Sequence, residues 1–155
     1  MTERKQEILS MLQKWIQEHL GETELAEQED ITFLRLTPAL FTDGTGQVYM
    51  EICLLDYSQE VMVAQVYSTM LLKPGPGIAA LREKLGEWNL HSLAGAYGIY
   101  EAQGQLYHKQ CIALVNDAAV DDQVDFLFTG ICTAMDEMAR RLPEAVDLSN
   151  VESSE

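Results

Sequence analysis

Hydrophobic positions change period several times along the chain, and each change marks an element. Over residues 3–20, Ile8, Leu12, Trp15, Ile16 and Leu20, with Leu9 beside Ile8, recur at helical spacing, and Gly21 stops the helix. Residues 22–30 carry Glu22, Glu24, Glu27, Glu29 and Asp30 with no base, which reads as a solvated connection. Ile31–Leu36 is then rich in β-formers and stops at Pro38, and Asp43-Gly44-Thr45-Gly46 is a turn signal. Val48–Leu55 alternates, with Val48, Met50, Ile52 and Leu54 on one side and Tyr49, Glu51, Cys53 and Leu55 on the other. Asp56-Tyr57-Ser58-Gln59 can turn the chain, and Glu60–Met70 is again β-like. Links this short make consecutive antiparallel strands, because a parallel crossover needs a dozen residues or more.

Lys73-Pro74-Gly75-Pro76-Gly77 breaks the sheet. The spacing of Ile78, Leu81, Leu85 and Trp88 predicts a helix over about 78–88. Two strands follow, about 94–101 and 105–115, joined by a turn at Ala102-Gln103-Gly104. A last helix begins near Asp121 and carries Val124, Leu127, Phe128, Ile131, Met135, Met138 and Leu142 at helical spacing. Asp121, Asp122 and Asp125 at its start and Arg140 and Arg141 at its end suit the helix dipole, and Pro143 is expected to end it. The order is α-β-β-β-α-β-β-α: an α+β fold with an antiparallel five-stranded sheet and three helices. Residues 1–142 read as one α+β domain and 143–155 as an acidic, disordered C-terminal tail.

Two strands lack a clearly polar face. Opposite the core side of 48–55 stand Tyr49, Cys53 and Leu55 around Glu51. In 105–115, Leu106, Ile112 and Leu114 take one face, while Tyr107, Cys111, Ala113 and Val115 take the other. A sheet wetted on one side alternates more cleanly. The second face is therefore expected to be covered, either by a helix of the same chain or by another protein. Tyr49, Cys53, Leu55, Tyr107 and Val115 are the candidate partner-binding residues on it. The stripe Ile78, Leu81, Leu85 and Trp88 on the central helix is the candidate for self-association, set against ordinary core packing.

Composition narrows the partners. At 155 residues with 47% apolar content, the chain can bury a sizeable core. Its formal charge is −15, and its ten Lys and Arg residues are scattered rather than clustered, which argues against nucleic acid and anionic membranes. High acidity also serves solubility, or selects a basic partner. No apolar run is long enough to span a bilayer and the charged start is unlike a signal peptide, so a soluble, cytoplasmic protein is expected. Cys53, Cys111 and Cys132 are odd in number and widely spaced, which reads as small core hydrophobes in a reducing compartment.

Motifs for chemistry are missing. There is no P-loop pattern, and the two glycines at 44 and 46 lie between strands rather than at a helix start. His108 and Cys111, three apart on a strand, point to opposite faces and cannot share a metal ion. No Ser or Cys has a nucleophile motif around it. The chain is read as non-enzymatic, with no cofactor and no metal. The competing reading is a small-ligand binding protein or enzyme using the tyrosine-rich surface of Tyr49, Tyr97, Tyr100 and Tyr107.

The stretch Leu85-Gly86-Glu87-Trp88-Asn89-Leu90-His91-Ser92-Leu93, then Ala94-Gly95-Ala96-Tyr97-Gly98-Ile99-Tyr100, the turn at Gly104 and the strand Leu106–Val115 resembles the YbjN family and the related fold of type III secretion chaperones. Those families also end a central helix near an Asn, run a hairpin through a Gly turn and close with a long helix. The likeness of architecture covers roughly residues 3–142, and the Trp88-Asn89 helix end leans toward YbjN. The resemblance implies a small, acidic, cytoplasmic bacterial protein, usually a homodimer, that works by binding other proteins: a regulator in the YbjN case, a chaperone for an effector in the other. It brings no catalytic residue with it.

Overall fold

A computed structural model describes residues 3–36, 48–71, 77–100, 102 and 104–150. Among them the element order is α1 (Glu3–His19), β1 (Thr23–Gln28), β2 (Ile31–Leu36), β3 (Tyr49–Asp56), β4 (Val61–Leu71), α2 (Ile78–His91), β5 (Ala96–Tyr100), β6 (Gln105–Val115) and α3 (Val120–Asn150). The strands form one antiparallel sheet in the order β1-β2-β3-β4-β6-β5. The fold is α+β with three helices. The turn signals at Asp43-Gly44-Thr45-Gly46 and Lys73-Pro74-Gly75-Pro76, and the stop at Pro38, lie outside the described residues.

The sheet has six strands instead of the expected five. The acidic stretch after α1 is β1, a two-residue hairpin with β2 closed by the pair Gln28↔Ile31. Its turn residues, Glu29 and Asp30, both have positive φ, at 52° and 65°. That geometry suits the right-handed twist of a tight hairpin, although its usual residues are Asn and Gly. The hydrophobic pattern missed β1 because it is an edge strand with no buried residue, so no apolar alternation was needed to place it.

One core holds the molecule together. Ile8, Leu9, Leu12 and Ile16 of α1, Leu81 and Trp88 of α2, and Val124, Leu127, Ile131, Met135, Met138 and Leu142 of α3 pack with the even-numbered sheet residues Met50, Ile52, Leu54, Ala64, Val66, Leu106, Ile112 and Leu114. All three helices therefore lie on the same face of the sheet. The α3 helix comes close to β6 at Gly130, where an added Cβ would stand 2.5 Å from Cδ1 of Ile112.

Pro143 does not end α3. The helix continues to Asn150, and residues 143–150, expected to begin a disordered tail, form its last two turns. Ala145 and Val146 extend the apolar stripe into the core, and the Ser149 carbonyl accepts a 2.9 Å bond from the Gly77 N–H at the start of α2. Proline inside a helix costs about 3 kcal/mol. Burying a valine and fixing the start of α2 offset a penalty of that size.

A candidate interaction surface on the sheet

Because the helices share one face, the opposite face has no described element over it. Register places its residues in rows across the strands. Tyr49, Thr69, Tyr107 and Gly98 form one row, Cys53, Gln65 and Cys111 another, and Leu55, Val63 and Ala113 a third, with Val61 opposite Val115 at the end. The five residues read from the sequence, Tyr49, Cys53, Leu55, Tyr107 and Val115, thus all lie on this single face. Cys53 is buried there by its neighbours, Leu55 and Tyr107 are half-buried, and Tyr49 and Val115 are exposed.

Tyr67, legible in the sequence only as a β-former of its strand, sits at the centre of this surface. Its ring stacks on Tyr107, with centroids 5.1 Å apart and planes 22° from parallel. Tyr107 in turn lies over Gly98, where a Cβ would come within 2.4 Å of the phenol, so only glycine leaves room for the ring. Burial, then the neighbouring Tyr107, raises the Tyr67 phenol above its usual range. The available signal was its odd-numbered place in the alternation Val61, Val63, Gln65, Tyr67. Beside the tyrosines, the charges of the central strands fall in one row, Arg35, Glu51, Tyr67 and Lys109, in which Arg35 donates to Glu51 at 2.9 Å across β2 and β3 and Lys109 stands exposed opposite Tyr67. Apolar and aromatic side chains thus dominate from Leu55 and Val63 to Val115.

The tyrosine-rich reading needs correction at one residue. Tyr97 belongs to the core face and is buried. Its hydroxyl donates to Glu137, at 3.1 Å to the carboxylate and 3.2 Å to the backbone oxygen, and burial followed by that carboxylate raises the phenol well above its ordinary range. Tyr97 also packs edge-on against Trp88 and His108. Tyr49, Tyr100 and Tyr107 remain on the other side of the sheet. A cleft of about 530 Å³ near Tyr49, lined by Glu22, Glu24, Arg35, Glu51 and Thr69 among others, opens to solvent and carries three carboxylates around one paired guanidinium.

The stripe on α2 is a core stripe. Leu81 and Trp88 are buried within the chain and Ile78 and Leu85 are half-buried, so the stripe cannot form a self-association surface while α2 stays docked. The exposed apolar residues of this region are Leu90 and Leu93. Asn89, at the end of the same helix, binds the backbone of β5 at two points. Its amide donates to the Tyr97 carbonyl at 3.0 Å and its carbonyl accepts from the Tyr97 N–H at 2.7 Å. One side chain therefore occupies the outer edge of β5 as a neighbouring strand would.

His108 and Cys111 do point to opposite faces. His108 is buried in the core, with Nε2 2.5 Å from the Ala94 carbonyl, whereas Cys111 is exposed on the open face. Burial lowers the His108 pKa, so the ring is neutral at pH 7, donating from Nε2. Its Nδ1 and the hydroxyl of Ser68, the residue opposite it on β4, have no hydrogen-bond partner among the described residues. Of the three cysteines read as core hydrophobes, only Cys53 is buried, and Cys132 is intermediate.

No protein-family model matches this chain, and no curated protein matches it. Among the described residues, no helix is long and apolar enough to cross a membrane.

Proposed function

We propose that this chain is a non-enzymatic protein-binding module and that the uncovered sheet face takes the partner, in the manner of a YbjN-like regulator or a chaperone-like protein. The observation that carries the reading is the row of Leu55, Val63 and Ala113, with Val61, Val115, Tyr67 and Tyr107 beside it, on a face that no described helix covers. An apolar surface of that extent is the usual mark of an interaction site. The stacked tyrosines supply rigid, amphipathic contact area of the kind that anchors interfaces. The resemblance of 85–115 to the YbjN and secretion-chaperone folds supports the same reading. A bacterial cytoplasmic setting and a homodimer belong to this proposal.

The test is affinity capture from the native organism, with the chain and a Val63→Lys/Tyr107→Ser variant compared by mass spectrometry. The variant is expected to lose the specifically captured protein while keeping its melting temperature. Recovery of the same proteins by both would sink the reading. A single secreted substrate among them would select the chaperone form over the regulator. Light scattering at tens of micromolar tests the homodimer, and a monomer there removes it.

A further inference from the structure

The edge of β6 is unequally covered. β5 pairs with β6 only from Gln105 to Lys109, and no described residue pairs with the remaining stretch on that side. The Asn116 N–H donates to the Glu60 carbonyl on the β4 side, so the even-numbered residues of β6 bond toward β4 and the odd-numbered ones face outward. The outward groups are then the N–H and C=O of Cys111 and Ala113 and the N–H of Val115. The Val115 carbonyl is already taken by Gln123 Nε2 and the Ala118 N–H. By contrast, Asn89 closes part of the outer edge of β5. Natural sheets blunt their edges in ways like this, and among the described residues Gln123 and Ala118 do so only at the Val115 carbonyl, leaving Cys111 and Ala113 without such a device.

A groove of about 520 Å³ runs beside the open stretch. Ile112 and Gly130 line it, Phe126, Thr129 and Thr133 of α3 form one wall, and Leu93 stands opposite. Leu93 is 95% exposed and Phe126 60%, high values for side chains this large and apolar. At 100° per residue the wall continues to Asp122 at one end and Asp136 at the other, both exposed, and Asp117 lies just past the end of β6.

We propose that the outer edge of β6 from Cys111 to Val115 takes up an extended segment of a partner polypeptide, with alternating apolar residues and Lys or Arg at both ends, added as a strand antiparallel to β6. Unpaired backbone groups in a row demand a strand. Every second side chain of that strand drops between Leu93 and Phe126, while the others lie beside Cys111, Ala113 and Val115. The aspartates at the ends of the α3 wall, in a chain of charge −15, select basic flanks. A second copy suits the edge less well. Two-fold pairing of β6 with β6 would bring two antiparallel α3 helices together and set Asp122 of one beside Asp136 of the other. The proposal rests on the protein-binding reading but uses a different surface from the sheet face.

A displayed random twelve-residue peptide library selected against the full chain tests it. Enriched peptides are expected to alternate apolar residues between basic ends and to slow amide exchange at Cys111, Ala113 and Val115. Phe126→Glu should weaken their binding tenfold or more with no loss of melting temperature, and N-methylation of alternate peptide amides should abolish it. No enrichment, enrichment of acidic or non-alternating sequences, or protection confined to other residues would overturn the proposal. So would protection of this stretch that rises with protein concentration when no peptide is present, because a second copy would then hold the edge. Failure here, with capture still dependent on Val63 and Tyr107, leaves the sheet-face reading standing.

Discussion

His108 is the residue whose surroundings make the clearest demand. It faces the Ala94 carbonyl, Tyr97, Glu137 and the Ser68 hydroxyl, and burial holds it neutral. Its folded pKa lies below the unfolded value of about 6.5. The unfolded chain therefore binds the proton first, and stability present above about pH 6.5 is lost as the pH falls below it. Urea unfolding between pH 7.5 and 5.5 should show a decline of up to about 1.4 kcal/mol per pH unit. A His108→Gln variant should lack that slope over this window. Asn89 makes an equally specific demand. With two hydrogen bonds to the Tyr97 backbone, Asn89→Ala should cost about 1–3 kcal/mol, and Asn89→Asp should not recover that loss, because it keeps the acceptor for the Tyr97 N–H but sets a carboxylate oxygen against the Tyr97 carbonyl. Denaturant midpoints at equal slope would measure both. Gly95 is constrained from the same side. At φ 79°, any Cβ there would stand 2.5 Å from the Lys109 carbonyl and 2.7 Å from the His108 ring.

Among the elements, those with a strong apolar period were legible in the sequence, and the exceptions have physical causes. The helical spacing of Ile8 to Ile16 and of Val124 to Leu142, and the alternation from Val48 to Leu54, all match the buried faces of α1, α3 and β3. β1 was hidden because an edge strand with no buried residue needs no apolar alternation, and the glutamates at 22, 24, 27 and 29 read as a solvated link. The last turns of α3 were hidden because local proline chemistry was weighed without the tertiary contacts of Ala145 and Val146. The α2 stripe could be read as helical, but spacing alone cannot say whether an apolar stripe faces its own core or a partner. Tyr67 was legible as a β-former but not as part of the surface, because its neighbours across the strands are set by register, which the linear pattern does not contain.

A chain ending after Leu142 should lose at least about 2 kcal/mol of stability by urea unfolding, since it gives up the buried Val146 and the anchor on Gly77, whereas a disordered tail would cost nothing. Asp30→Gly should raise stability by about 1 kcal/mol in the same assay by relieving a left-handed backbone in the β1–β2 turn.

For the whole molecule, one-sided layering is the main fact. Three helices and one sheet face make a single core and leave the other face of the sheet with its apolar rows in water. The surface suggested by Tyr49, Cys53, Leu55, Tyr107 and Val115 is contiguous because antiparallel register aligns odd-numbered residues on neighbouring strands. A hydrophobic dye should bind the native chain at neutral pH, and Val63→Lys should reduce the fluorescence gain by half or more without shifting the melting curve. An unchanged gain would mean that the dye sits elsewhere. The layering also separates the two tryptophans. Trp15 lies half-buried on α1, edge-on to Phe128, while Trp88 is buried on α2, edge-on to Tyr97, and its indole N–H has no partner among the described residues. The two indoles are therefore optical probes of two different helices. Buried as it is, Trp88 is expected to emit at the blue end of the range, so loosening of α2 from β5 should announce itself as a red shift while Trp15 stays silent.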